Sequence, residues 1–184
     1  AKKIRKEFRN AIPIKCDFTE PSELVSLQDQ IKEMDLDALV NNAYCSKINQ
    51  MHFHKSPPLD FLSDFKDNII PIIIITQAAI KIFRKKKRGK IITILSSYLS
   101  NVPPVGLSSY VANKAYLEKL TKAWANENSK FNITSNSISP SFMKTALTDD
   151  VDDRVIEQMI DNHPNKNLIT PKEVADAVMF LANA

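Results

Sequence analysis

The stretch "KIITILSSYLSNVPPVGLSSYVANKAYLEKL", Lys90 to Leu120, decides how the chain is read. It opens on a run of β-branched and apolar residues, passes through Ser96, Ser97 and a loop with two prolines, and takes up helical periodicity at Ser108. A strand, a polar strand end and a long helix therefore succeed one another. In the helical part Tyr110 stands four residues before Lys114, a spacing that stacks both side chains on one face. A phenol ordinarily titrates near pH ~10 and a neighbouring ammonium stabilises its phenolate. Such a pair can give a proton to, or take one from, an alcohol or carbonyl oxygen. Tyr followed by Lys at this spacing is also an ordinary surface pair, so the two residues need company before they mean chemistry.

Outward from this stretch the same alternation recurs. "AIPIKC" (Ala11 to Cys16), "DALVNN" (Asp37 to Asn42), "KIITILSS" (Lys90 to Ser97) and "NITSNSIS" (Asn132 to Ser139) read as strands. Between them "PSELVSLQDQIKEM", the segment from Leu59 to Lys87, and Ser108 to Lys130 carry helical periodicity. Strand alternating with helix predicts an α/β fold, a doubly wound and mostly parallel sheet, in a single domain over residues 1–184. Thr19 with Pro21, and Thr170 with Pro171, read as helix starts. Two connections, Ala43 to Pro58 and Pro140 to Ile169, have the length of lids or binding segments.

Composition narrows the classes. A chain of 184 residues, 43% apolar and 25% charged, is long enough for one core. Cys16 and Cys45 follow neither disulfide nor metal spacing, and no signal peptide is visible, so a cytoplasmic setting is expected. The longest apolar run, "IIPIIIIT" from Ile69 to Thr76, falls well short of the roughly 18 residues of a membrane span, so no membrane is expected. Net charge is +4, with basic runs "AKKIRKEFR" at the start and "RKKKRGK" at Arg84 to Lys90. The second reads as a solvated helix C-terminus stopped at Gly89, not as a nucleic-acid site. In "MHFH", Met51 to His54, two histidines lack further ligands of suitable type. No metal is expected there; Met51 and Phe53 read as contacts at an apolar substrate mouth.

In an open parallel sheet, ligands bind at the carboxyl ends of the strands. Three such ends are polar here: Ser96 and Ser97, the amides of "DALVNNA", and "SISPS". Serine and asparagine also favour strand ends and turns for their own sake.

Together these segments resemble the short-chain dehydrogenase/reductase family, and most of all bacterial 3-oxoacyl carrier-protein reductases. "CDF" at Cys16 to Phe18 resembles the family's Asp and apolar pair at the adenine ring, and "LVNNAY" at Leu39 to Tyr44 its Asn-Asn-Ala-Gly. "DNIIPIIIITQAA" resembles the helix bearing an Asn, here Asn68, and "ISPSFMKT" at Ile138 to Thr145 its Pro-Gly turn with a following Thr. "SSYLSNVPPVGLSSYVANK" resembles its Ser, Tyr and Lys.

The resemblance implies hydride transfer between a nicotinamide and a carbonyl or secondary alcohol, with a 3-oxoacyl thioester among the substrates. By matched position Tyr110 is the general acid or base, Lys114 lowers its pKa and binds the nicotinamide ribose, and Ser97 orients the carbonyl. Asn68 holds a water leading from Lys114 to solvent. Asp17, Phe18, Asn42, Ala43, Tyr110, Lys114, Met143 and Thr145 contact the cofactor, NADP or NAD with NADP favoured. A homodimer or homotetramer is implied. Pro71 removes a backbone bond to the Asp67 carbonyl, which either kinks the helix beside Asn68 or merely sits in its first turn. Counting from Gly89 favours Ser96 over Ser97, so either serine stays open.

Departures matter equally. The chain has only Gly89 and Gly106, where average usage of roughly 7% predicts about a dozen. No glycine-rich phosphate turn can be built from those two. In the strand order 3-2-1-4-5-6, "AIPIKC" and "DALVNN" are third and fourth and share no partner. The expectation is a fold incomplete at both ends, a piece of a longer chain lacking about 50 residues before Ala1 and roughly 20 after Ala184. Tyr44 and Ser141 stand where the family has glycine. The other reading is a non-catalytic member acting as an oligomeric binding or scaffold subunit.

Overall fold

In the computed structural model the described residues are 10–44, 50–145, 148 and 151–184. The basic run at the start and Cys45 lie outside them. Three parallel strands, β1 (Ala38–Asn41), β2 (Gly89–Ile94) and β3 (Ile133–Ile138), form a sheet in that order. Ala38 is level with Lys90, and Gly89 with Ile133. Six helices accompany them among the described residues: α1 (Pro21–Lys32), α2 (Pro58–Asn68), α3 (Ile70–Lys86), α4 (Ser108–Asn128), α5 (Asp153–Asn162) and α6 (Pro171–Asn183).

Residue alternation along β2 assigns the layers. Ile91 joins Phe83 of α3, Leu117 and Trp124 of α4 and Ile133 of β3 in one buried cluster, and Thr93 accepts a bond from Thr121 of α4. On the opposite face the Lys90 ammonium donates to the carbonyl of Ala184, which follows α6. Helices thus cover both faces, as a parallel sheet requires. Phe83, Ile91 and Ile92 are wholly buried, each contributing about 1.5–3 kcal/mol by leaving water. α1 packs beside α3 through Ile31, Ile75 and Ala78.

Several expectations need correction. "AIPIKC" forms no strand, and Ile12 is 82% exposed. β1 is an edge of the described sheet, so a third-strand sequence finds no ladder to join. The helix expected from Leu59 to Lys87 breaks at Ile69 into α2 and α3, with Pro71 in the first turn of α3 and Asn68 ending α2. The two readings of Pro71 therefore both describe it. The connection after Pro140 contains α5, started by Asp152, whose carboxylate accepts from the Arg154 N–H.

Gly89 is not the stop of α3. Lys87 takes the left-handed turn at φ 52°, and Gly89 begins β2, where an added Cβ would lie 2.2 Å from the Phe83 ring. Thr170 caps α6 as expected, with Glu173 returning the bond in a capping box. Thr19 does not cap α1. Glu20 occupies that position, and the Thr19 hydroxyl donates to Asp17 at 2.7 Å.

Candidate active site

Three strand ends meet. The Leu95 N–H donates to Ile138 at 2.7 Å and the Ser97 N–H to Pro140 at 2.9 Å, tying the exit of β2 to that of β3. Asn41, at the end of β1, is buried and donates to Thr76 of α3 at 3.0 Å. This first amide of "NNA" is an anchor for the strand end, a role that sequence reading missed. Its signal is the strand parity, which turns Asn41 inward and leaves Asn42 exposed.

Periodicity in α4 turns Lys114, Leu117, Thr121 and Trp124 toward the sheet. Lys114 is only 6% exposed, and its ammonium donates to the Ile94 carbonyl at 2.9 Å. Burial among apolar groups pulls its pKa down from 10.5 to about 8. Tyr110 lies one turn earlier on the same helix. Burial pushes its phenol up, a hydrogen bond with Ser96 opposes that, and the nearby Tyr98 adds to the rise.

Lys114 faces the ring of Tyr110 from one turn along α4. Its ammonium stands 5.7 Å from the centre of the Tyr110 ring, over the ring, and Tyr44 reaches in from the end of β1. Tyr44 meets the Tyr110 ring edge-on at 5.2 Å and 67°, with the Lys114 ammonium 5.5 Å from its own centre.

Ser96 is the serine at Tyr110. It is 6% exposed and its hydroxyl also accepts from the Tyr98 N–H at 3.3 Å. Ser97 begins a single 3₁₀ turn, Ser97–Leu99, and is held by its backbone. Asn68, 1% exposed, donates to the Asp64 carbonyl at 3.0 Å at the break between α2 and α3. The Nδ2 of Asn113, beside Lys114 in α4, is buried without a hydrogen-bond partner among the described residues.

The other expected cofactor residues are spread wider. Ala43 is exposed beyond β1 like Asn42. Met143 and Thr145 follow β3, pinned by Thr148, whose hydroxyl accepts from the Thr145 N–H at 2.9 Å and donates to the Met143 carbonyl. Asp17 and Phe18 precede α1. Thr19 holds the exposed Asp17 carboxyl below the usual range, and Phe18 packs on the Ile31 and Ile75 cluster.

A cleft of about 460 Å³ opens beside the start of α4, between His52–His54 and Pro103–Gly106, with Ser108 and Val111 as its floor. Phe53 lines it. Met51 does not; its N–H donates to the Gly106 carbonyl at 3.3 Å. Two members of the basic run at the end of α3 are engaged by acids: Lys86 with Asp35 and Asp37, and Arg88 with Asp37.

The donor set fits the nicotinamide end of a dinucleotide. An ammonium has three N–H donors, and Lys114 gives one to Ile94, which leaves donors for ribose hydroxyls beside a phenol and a serine hydroxyl. No glycine-rich turn at a helix start occurs among the described residues to cradle a pyrophosphate.

Comparison with known proteins shows the family and the fold. A family model described as "Enoyl-(Acyl carrier protein) reductase" matches residues 1–184. The chain belongs to the short-chain dehydrogenase/reductase family. It is 30% identical over 174 residues to the 3-oxoacyl-[acyl-carrier-protein] reductase FabG of Buchnera aphidicola, covering 94% of this chain and 70% of that one. With the FabG of Rickettsia bellii it shares 32% over 168 residues, covering 91% and 68%. An NAD+-bound xylitol dehydrogenase superposes with a TM-score of 0.83 at 22% identity, covering 98% of this chain and 76% of that one, which shows the common Rossmann-like fold. Membership makes this short-chain dehydrogenase/reductase chain part of an NAD(P)-dependent oxidoreductase.

Proposed function

We propose that the protein is a carbonyl reductase in which Tyr110 gives the proton, Ser96 orients the carbonyl oxygen and Lys114 holds the cofactor ribose. The observation that carries this is the meeting of Tyr110, Ser96 and the buried Lys114 at the carboxyl end of β2, where Lys114 is fixed by its bond to the Ile94 carbonyl and faces the Tyr110 ring. A reduced nicotinamide supplies the hydride when bound. The chain's residues do the rest. The hydroxyls of Ser96 and Tyr110 polarise the carbonyl, and the phenol proton moves to its oxygen as negative charge develops there. The charged Lys114 then stabilises the phenolate left behind. Asn68, buried at the break between α2 and α3, would hold a water through which that phenolate regains its proton.

The burial of Ser96 beside Tyr110 supports Ser96 rather than Ser97 as the residue that orients the carbonyl. Asn42, Ala43, Met143 and Thr145, on the loops leaving β1 and β3, would flank the nicotinamide, and Asp17 with Phe18 the adenine. NADPH is the favoured cofactor and a 3-oxoacyl thioester the favoured substrate, both following the FabG relatives. The cleft between Phe53 and Val105 would take the acyl chain. Exposed Leu59 and Leu62 on α2 and Tyr116 on α4 support a homodimer or homotetramer. No helix of the described residues is long and apolar enough to cross a membrane, which supports a cytoplasmic enzyme.

The direct test follows NADPH oxidation by the full-length protein with a panel of 3-oxoacyl thioesters and other ketones, using Tyr110→Phe as control. Turnover on at least one 3-oxoacyl thioester that Tyr110→Phe abolishes is the expected result. No turnover on any of them, or an undiminished Tyr110→Phe, would refute the assignment.

A further inference from the structure

We propose that Tyr44 is a positioning residue for the acid-base pair, its ring closing with that of Tyr110 around the Lys114 ammonium and keeping it charged. The proposal rests on the reading of Tyr110 and Lys114 given above. Tyr44 comes from the end of β1, and the other two from α4, so only the tertiary fold assembles the three. In the family pattern the position of Tyr44 is a glycine, which has no ring to offer, so this contact belongs to the present chain.

The physical case starts from Lys114. A buried ammonium pays heavily for lost water unless something replaces it. The Ile94 carbonyl replaces one contact. No carboxylate pairs with Lys114 among the described residues. Glu118, one turn further along α4, is held by Lys122 at 2.6 Å. Asp64 of α2 accepts from the Ser109 hydroxyl at 2.7 Å. The Tyr98 phenol acts on Tyr110. Two aromatic rings flank the ammonium, at 5.5 and 5.7 Å. A cation within about 6 Å of a ring centre is attracted by the ring quadrupole, more strongly when water is excluded.

The edge-on contact with Tyr44 also restrains the Tyr110 ring, since aromatic pairs at this distance prefer tilted geometry. Tyr44 therefore does two things: it favours the charged form of Lys114, and it holds the Tyr110 ring in place. Neither requires its own hydroxyl. An aliphatic side chain of similar bulk would keep water out but lose the quadrupole, whereas phenylalanine would keep both.

That contrast is the test. The Lys114 amine is titrated by NMR, through its ¹³Cε shift in selectively labelled full-length protein without nucleotide, for the wild type, Tyr44→Phe, Tyr44→Leu and Tyr44→Met. Tyr44→Phe is expected to keep the wild-type midpoint. Tyr44→Leu and Tyr44→Met are expected to lower it by about 0.5 to 1 pH unit. Their alkaline limb for ketone reduction should move down equally, with kcat affected more than KM. A midpoint unchanged or raised in both aliphatic variants, or a Tyr44→Phe that behaves like them, would overturn the proposal. Absence of turnover in the wild type would refute the reductase assignment while leaving the titration readable.

Discussion

The Ser96 side chain lies at the Tyr110 phenol and draws its pKa down against the rise from burial, while Ser97 is tied by its backbone N–H to Pro140. The two serines are neighbours in sequence, yet only Ser96 is buried beside Tyr110. Ser96→Ala should lower kcat for ketone reduction by about 10- to 100-fold, and Ser97→Ala by less than about threefold. Steady-state rates at saturating NADPH decide it; a greater loss in Ser97→Ala would restore Ser97, the serine given by matched position.

Lys114 predicts a pH dependence with a definite sign. Its folded pKa of about 8 lies below the unfolded value of 10.5, so both states are protonated below pH 8 and the unfolded state holds more protons between the two. The contribution of Lys114 to stability is therefore least favourable at neutral pH and improves as pH rises through that window. Lys114→Met should be inactive yet more stable than the wild type at pH 7, by about 1 to 3 kcal/mol. That advantage should shrink toward pH 10.5, as read from urea unfolding of both proteins across pH.

Gly89 has no room for a side chain. An alanine Cβ would meet the Phe83 ring at 2.2 Å, so Gly89→Ala should cost about 1 to 3 kcal/mol. The cost should be smaller when Phe83→Leu is already present, and a double-mutant cycle in thermal unfolding measures that coupling.

The capping box of α6 makes a local prediction. Thr170 accepts from the Glu173 N–H at 3.3 Å while Glu173 accepts from the Thr170 N–H at 2.7 Å. Thr170→Ala should destabilise the protein by about 1 kcal/mol, whereas Thr170→Ser should cost little. Hydrogen exchange at the first turn of α6 should report the same order.

Legibility followed the range of the interactions. The Thr170 cap, the Tyr110 and Lys114 spacing and the apolar core runs rest on neighbours within a turn or a strand, and each was readable. Thr19 was readable as a cap only so long as Asp17, two residues earlier, was not counted as a competitor for its hydroxyl. "AIPIKC" has a strand's residues but no adjacent strand among those described, because a ladder needs a partner as well as a propensity. α5 was missed inside a long connection, although Asp152 marks its start.

Sequence by itself determined the class of fold, the helix that carries Tyr110 and Lys114, and the family, because periodicity and motif spacing are local properties of the chain. Tertiary structure decided the rest. Which serine meets Tyr110 depends on how β2 leaves the sheet against Pro140. How the proton equilibria fall depends on burial, which pushes Tyr110 up and Lys114 down. The ring of Tyr44 enters the site from another strand end, through a contact spanning from β1 to α4 that no local pattern encodes.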